Sequence, residues 1–310
     1  MNRIAGIIIA ALGLVVAVLG ATKIVPGLTS PGVFMIVLGG LVIGLSFINK
    51  PAVEGDVERM STASSIVNIF FAPSEVFRNL RWHPRWLVPI LLMVVMSVAY
   101  SNLFSARIGI DRITNFSIDK TLEMPMIAGS EDARKSVEAG RVQALEDAKN
   151  PVARVGQVAA SFAGFTILYA ILALIYFVFA LAMGGKLNFW QAFSAAVYAA
   201  LPINIIKFVL NTTLLYLKDP TDIHPILGQQ SLIQDNLSFL VTSAEHPVIF
   251  TLLASLSVLG FYWLFMNAIG LKNAGERVSG TIAWSASISV FLFVLLFGMA
   301  MAVLFPSFIS

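Results

Sequence analysis

The chain has 310 residues, 58% of them hydrophobic and 12% charged, with a mean hydropathy of +0.85. A soluble domain is nearer about half apolar and about a quarter charged, so the composition excludes an ordinary soluble enzyme and makes the bilayer the host for most of this surface. A net charge of +3 carries no nucleic-acid signature, and the absence of cysteine excludes disulfides, thiolate metal sites and cysteine nucleophiles.

Seven apolar runs read as membrane-spanning helices, at roughly 4–22, 31–48, 86–104, 157–183, 189–213, 247–270 and 280–306. A helix satisfies its own backbone polar groups, which is why such runs are helical in lipid. The expected fold is therefore an all-α integral membrane protein: a two-helix N-terminal hairpin (1–50), a linker and interfacial amphipathic helix (51–85), and a five-helix membrane domain (86–310). Two outer loops, 105–156 and 214–246, interrupt that domain. The first run follows Met1-Asn2-Arg3 but is long and lacks an A-x-A cleavage pattern, so it reads as a span and not a signal peptide.

In the hairpin, Pro26, Gly27, Pro31 and Gly32 punctuate the turn. Gly13, Ala17 and Ala21 repeat every four residues on the first helix, and Gly40 and Gly44 on the second. Small residues at this spacing let helix backbones approach closely, so they are read as packing positions.

The linker 51–65 carries Glu54, Asp56, Glu58 and Arg59. From 66 to 85, Phe70, Phe71, Val76, Phe77 and Leu80 alternate with Glu75, Arg78 and Arg81, and Trp82 and Trp86 flank His83-Pro84-Arg85. Pro73 suits a helix start. An apolar face opposite basic residues and tryptophans predicts a helix in the headgroup layer, with Phe70, Phe77, Arg78, Arg81 and Trp82 as its interfacial residues.

The loop 105–156 balances eight basic with eight acidic residues. A helix is expected near 131–149, capped by Ser130 and stopped by Asn150-Pro151. With the N-terminus in the cytoplasm, the short inner segments hold nine basic residues against two in the short outer ones, which sets the orientation and leaves the C-terminus outside.

Motif scans for H-E-x-x-H, G-x-S-x-G and Walker A are negative, and the three histidines have no ligand spacing. No cofactor or metal is expected; Asp219, Asp222 and His224 in DPTDIH read as an Asp-Pro turn. Lys207 is a cation inside the fifth span, with Asn204 and Asn211 on the same face and Pro202 one turn before. An intramembrane charge is a functional candidate by default, here for an anion or lipid; snorkelling to the headgroups is the competing reading.

FAPSEVFRNLRWHPRWLVPILL, MGGKLNFWQAFSAAVYAALP and MNAIGLKNAGERVSG, in that order over about 66–308, resemble the bacterial branch of the YIP family of Ypt/Rab-interacting-protein-type membrane proteins. The resemblance rests on Phe70, Pro73 and Phe77, on the Gly184-Gly185 turn with Pro202 beyond it, and on Ile269-Gly270-Leu271. It implies a five-helix membrane domain with a cytoplasmic N-terminal side, and GTPase-binding adaptors are its eukaryotic members. The first two spans lie outside that domain. The reading is a non-enzymatic adaptor or organiser of the bacterial plasma membrane, with membrane or cytoplasmic partners and the bilayer itself. The alternative is a small transporter or lipid-handling protein with an anion site near Lys207.

Overall fold

The computed structural model describes residues 2–22, 24, 28–45, 47 and 57–306. Lys23, Pro26, Gly27, Lys50, Glu54 and Asp56 lie outside the described residues. In chain order the helices are α1 (Asn2–Ala21), α2 (Thr29–Leu45), α3 (Thr62–Phe71), α4 (Pro73–Trp82), α5 (Leu87–Ile108), α6 (Ile110–Leu122), α7 (Pro125–Ala128), α8 (Glu131–Ala139) and α9 (Arg141–Lys149). They continue with α10 (Pro151–Ala182), α11 (Phe189–Leu217), α12 (Leu227–Gln230), α13 (Pro247–Ser255), α14 (Val258–Ala274) and α15 (Gly280–Leu304). The described residues contain no strand.

Helices α5, α10, α11 and α15 are each long and apolar enough to cross a membrane. The sixth expected span is broken into α13 and α14, bent by 52°, and counts as a fifth crossing if the pair is one span. The apolar stretches of α1 and α2 are shorter, at Gly6–Ala21 and Thr29–Gly44. The all-helical membrane fold is therefore as expected, and the difference is the break at Leu256–Ser257. Its cause lies outside the run: Asp235 accepts the Val258 N–H on its backbone carbonyl (3.1 Å) and the Leu259 N–H on its carboxylate (2.8 Å). Ser257 Oγ takes the Gly260 N–H at 2.8 Å. A new helix start is thus capped inside an otherwise continuous apolar run.

The chain divides into two compact units. The first comprises 1–96, 155–205 and 262–291. Here α1 and α2 pack along a glycine seam: a Cβ on Gly13 would stand 2.7 Å from Ile36 N, and one on Gly39 would stand 2.5 Å from Ala10 N. Gly6, Gly20 and Gly32 are equally closed, Gly32 against Ala17. The seam therefore repeats every seven residues, and it uses Gly13 and Ala17 of the expected set. Gly40 and Gly44 are a correction: nothing lies within 4 Å of a Cβ at either, and both face outward. Two helices meeting along one stripe return to it after two turns, so a four-residue spacing alone picks the wrong face.

Ser61 starts α3 by accepting the Ser64 N–H at 3.1 Å. Pro73 occupies the first turn of α4, with Glu75 near its N-terminus and Arg81 in its last turn, as the helix dipole favours. At the other end of the domain's sequence, α10 closes with a Schellman turn. Gly184 sits at φ +78, its N–H donates to Leu181 O (3.0 Å), and the Gly185 N–H donates to Ala180 O (2.8 Å). Asn188 and Gln191 then form a capping box on α11. Asn188 Oδ1 accepts the Trp190 N–H (2.9 Å) and Gln191 Oε1 accepts the Asn188 N–H (2.8 Å).

The second unit comprises 97–154, 206–261 and 292–310. Its core gathers Tyr100, Phe104, Ile108, Leu215, Ile223 and Leu232, and Tyr100 donates to Gly228 O at 2.7 Å. The loop 105–156 is a four-helix arm, α6 to α9, and not one helix near 131–149; Ser130 caps α8 as expected, and Gly140 separates α8 from α9. Arg112 ties the arm to the carbonyls of Pro220, Thr221 and Ile223. Asp219 closes its turn on Thr221, through the backbone N–H (2.8 Å) and the hydroxyl (2.6 Å).

Candidate functional site

The polar side chains of the first unit converge where residues 57–86 meet the start of α11. The apolar face of α4 comes first: Val76, Phe77 and Leu80 are wholly buried. Phe77 packs on the helix surface left open by Gly270, where a Cβ would stand 3.1 Å from the ring. Two of the quoted motifs, Phe-x-x-Pro-x-x-x-Phe and Ile-Gly-Leu, therefore exist as partners of one contact. Phe77 is a core residue and not a headgroup contact; the apolar stripe of α4 faces protein. Phe70 is half-buried, Arg78 is exposed with Nε donating to Ser74 O (3.4 Å), and Arg81 stacks 5.0 Å over the Trp82 ring.

Gln191 does two jobs. Its oxygen completes the α11 cap, and its amide donates to Arg81 O at 3.0 Å, fixing the end of α4 to the start of α11. Trp86, Phe189 and Phe193 form an aromatic cluster there, with Trp86 and Phe193 at 5.2 Å and Phe189 and Phe193 stacked at 5.8 Å. Nearby, Lys186 pairs with Glu276 and holds its carboxyl below the usual carboxylate range.

Arg85 stands in the middle of this construction, between two tryptophans in sequence. Its Nη2 donates to Asn79 Oδ1 (2.9 Å) and to Ser65 Oγ (3.0 Å), where Ser65 is wholly buried. Its Nε and Nη1 are buried and donate to nothing among the described residues. Burial pushes the guanidinium below its ordinary value, the Tyr198 hydroxyl lies close enough to act on it, and the like charge of Arg59 lowers it further. Asn79 Oδ1 is shared: it also accepts the Met60 N–H at 3.3 Å, while Asn79 Nδ2 donates to Glu58 O at 2.9 Å. His83 Nε2 lies 2.9 Å from Val57 O. A cation with neutral oxygens around it, and donors left over, is an arrangement for binding an anion; it contains no nucleophile-and-base pair.

Sequence reasoning counted Arg85 only as one basic residue among several. The signal was RWHPRW, which places an arginine between two tryptophans just before α5. The positions singled out instead fare differently. Lys207 is exposed on α11 and makes no hydrogen bond or ion pair among the described residues. Asn204 donates to Ala200 O of its own helix at 2.9 Å. Asn211 is buried and accepts the Leu232 N–H at 2.8 Å, which fixes a loop. Pro202 lies within an unbroken α11 and is buried. Among the described residues no group of three or more His, Asp and Glu is placed to hold a metal ion.

Long apolar helices, a capped break in one of them and a polar cluster at the helix ends define a polytopic α-helical membrane protein. Residues 67–302 match the Yip1 domain model, and the chain belongs to that family. No curated protein and no solved structure matches the chain.

Proposed function

We propose that the chain is a non-enzymatic adaptor or organiser of a bacterial plasma membrane that holds protein partners or lipids. It crosses the bilayer seven times, with the N-terminus in the cytoplasm and the C-terminus outside. One observation carries the binding role: several of the stronger polar side chains within the long helices are spent on their own helices. Thr166 donates to Phe162 O (2.7 Å), Asn204 to Ala200 O (2.9 Å), Thr213 to Val209 O (2.9 Å) and Asn267 to Trp263 O (2.8 Å). A translocation path needs polar groups that face a substrate, and groups bonded to their own backbone do not supply one. Three unspent donors belong to one cation, Arg85, at the helix ends, whereas those left within the helices are single hydroxyls, of Tyr176, Ser194, Tyr198, Thr212 and Ser287. The basic residues Arg59, Arg78, Arg81, Arg85, Lys186, Lys272 and Arg277 belong to the inner segments, which supports placing them in the cytoplasm.

The test is purification of the full chain in mild detergent or nanodiscs with mass spectrometry of bound proteins and lipids. A stoichiometric partner or a retained lipid is expected. A lone protein that moves an anion across proteoliposomes would overturn the reading. The exposed, unpaired Lys207 is what favours that second reading, of transport or lipid handling; under it, Lys207→Gln abolishes uptake or lipid retention without lowering expression.

A further inference from the structure

We propose that Arg85 is the charged centre of an oxyanion site that takes a phosphate-type group, with residues 57–60 as the strap that closes it. This rests on the binding role above and supplies its ligand chemistry.

A guanidinium carries five N–H donors. Two go from Nη2 to Asn79 and Ser65, both neutral. The three on Nε and Nη1 are buried and unused. None of the ion pairs among the described residues includes Arg85. The charge that bears on it, Arg59, has the same sign. A half-buried cation with buried, unused donors and no counter-ion carries a desolvation cost, and an ion brought from outside the chain offsets it.

The surroundings select the ligand's chemistry. A flat carboxylate is met by one edge of a guanidinium, whereas a tetrahedral oxyanion has further oxygens to satisfy. The Tyr198 hydroxyl, which acts on Arg85, is buried and without a hydrogen-bond partner among the described residues, so its proton is available for one of them; Ser65 Oγ already donates to Ser61 O at 2.9 Å and serves Nη2 as an acceptor. Trp82 and Trp86 flank Arg85 in sequence, as residues able to report on the site by fluorescence.

The strap follows from Asn79. Its carbonyl oxygen is the acceptor for both Arg85 Nη2 and the Met60 N–H, and its amide holds Glu58 O. Residues 57–60 have no helix of their own, and Val57, Glu58 and Arg59 are exposed. An oxyanion that draws the guanidinium to itself leaves Asn79 Oδ1 to the Met60 N–H alone and tightens the strap's hold, so admission of the ligand and fixing of 57–60 are coupled.

The full chain in dodecylmaltoside micelles is titrated at constant ionic strength with phosphatidylglycerol and, separately, with inorganic phosphate, while tryptophan fluorescence and melting temperature are followed. Wild type is expected to respond saturably to at least one of them. Arg85→Gln loses the response, Arg85→Lys weakens it at least tenfold while keeping the positive charge and the fold, and Lys272→Gln leaves it unchanged. A response to inorganic phosphate makes a free phosphate compound the source; a response to phosphatidylglycerol alone makes it a lipid headgroup. A flat wild-type titration, or full binding by Arg85→Lys, overturns the site. A flat titration by a chain that still carries a stoichiometric protein partner removes the oxyanion site and leaves the adaptor role standing. A saturable titration by a chain that carries none does the opposite.

Discussion

The segment 57–86 and the arm 110–149 are both polar stretches between apolar helices, yet they are held in opposite ways. In the first, α4 buries Val76, Phe77 and Leu80 completely, and single side chains tie it to its surroundings, Gln191 of α11 by donating to its Arg81 carbonyl and its own Asn79 by donating to Glu58 O. In the second, α6 to α9 bury no residue. Ion pairs at the surface hold them to one another, Arg141 to Asp119 and Glu138, and Lys149 to Asp111, while α6 reaches beyond the arm through Arg112 and the half-buried Ile113. Helicity is common to both and distinguishes neither. What separates them is how completely apolar side chains are buried against protein, because exposed ion pairs contribute little and fade with salt.

The sharpest way to break this comparison is Phe77→Ala. It empties a fully buried site against Gly270 and is expected to cost about 3–5 kcal/mol of unfolding free energy; denaturant titration in micelles measures it. A loss below about 1 kcal/mol would mean the α4 contact is not a core. Next is Gln191→Ala, which removes half of the capping box and the bond to Arg81 O together. A cost of about 1–2 kcal/mol is expected in the same titration. The smallest global effect belongs to Arg141→Ala. Limited proteolysis of 110–149 should quicken, more so at low salt, where wild type is best protected, while the melting of the membrane helices stays where it was. If Arg141→Ala destabilised the whole chain as much as Gln191→Ala does, the arm would be a structural support after all.

Much of this was legible in the residues. Long apolar runs gave the helices that cross, Pro73 gave the start of α4, Gly184-Gly185 the reversal before α11, and Ser130 the cap of α8. Each is a local signal, read within one turn of the chain. The break at Leu256–Ser257 was not legible, because the group that caps it, Asp235, lies more than twenty residues upstream and hydropathy averages over it. Phe77 was assigned to the headgroup layer since an amphipathic stripe does not say whether lipid or protein lies against it. Arg85 was missed for a related reason: its isolation from any carboxylate is a property of its neighbours in space. Lys207 stood out because a charge within an apolar run is visible in one dimension, and its exposure is not.

The glycine seam of the hairpin bears on which mutations the chain can accept. Gly6, Gly13, Gly20, Gly32 and Gly39 meet main chain or the first atoms of a side chain, so any Cβ there collides. The outward residues between them, Ile8, Leu12, Val15 and Val37 among others, are exposed and need only be apolar. Variation in this hairpin should therefore be lopsided, with free exchange among Leu, Ile, Val and Phe on the outer faces and almost none at five positions. A random library of residues 2–45, scored for surviving membrane insertion, would draw that seam without any structure at all.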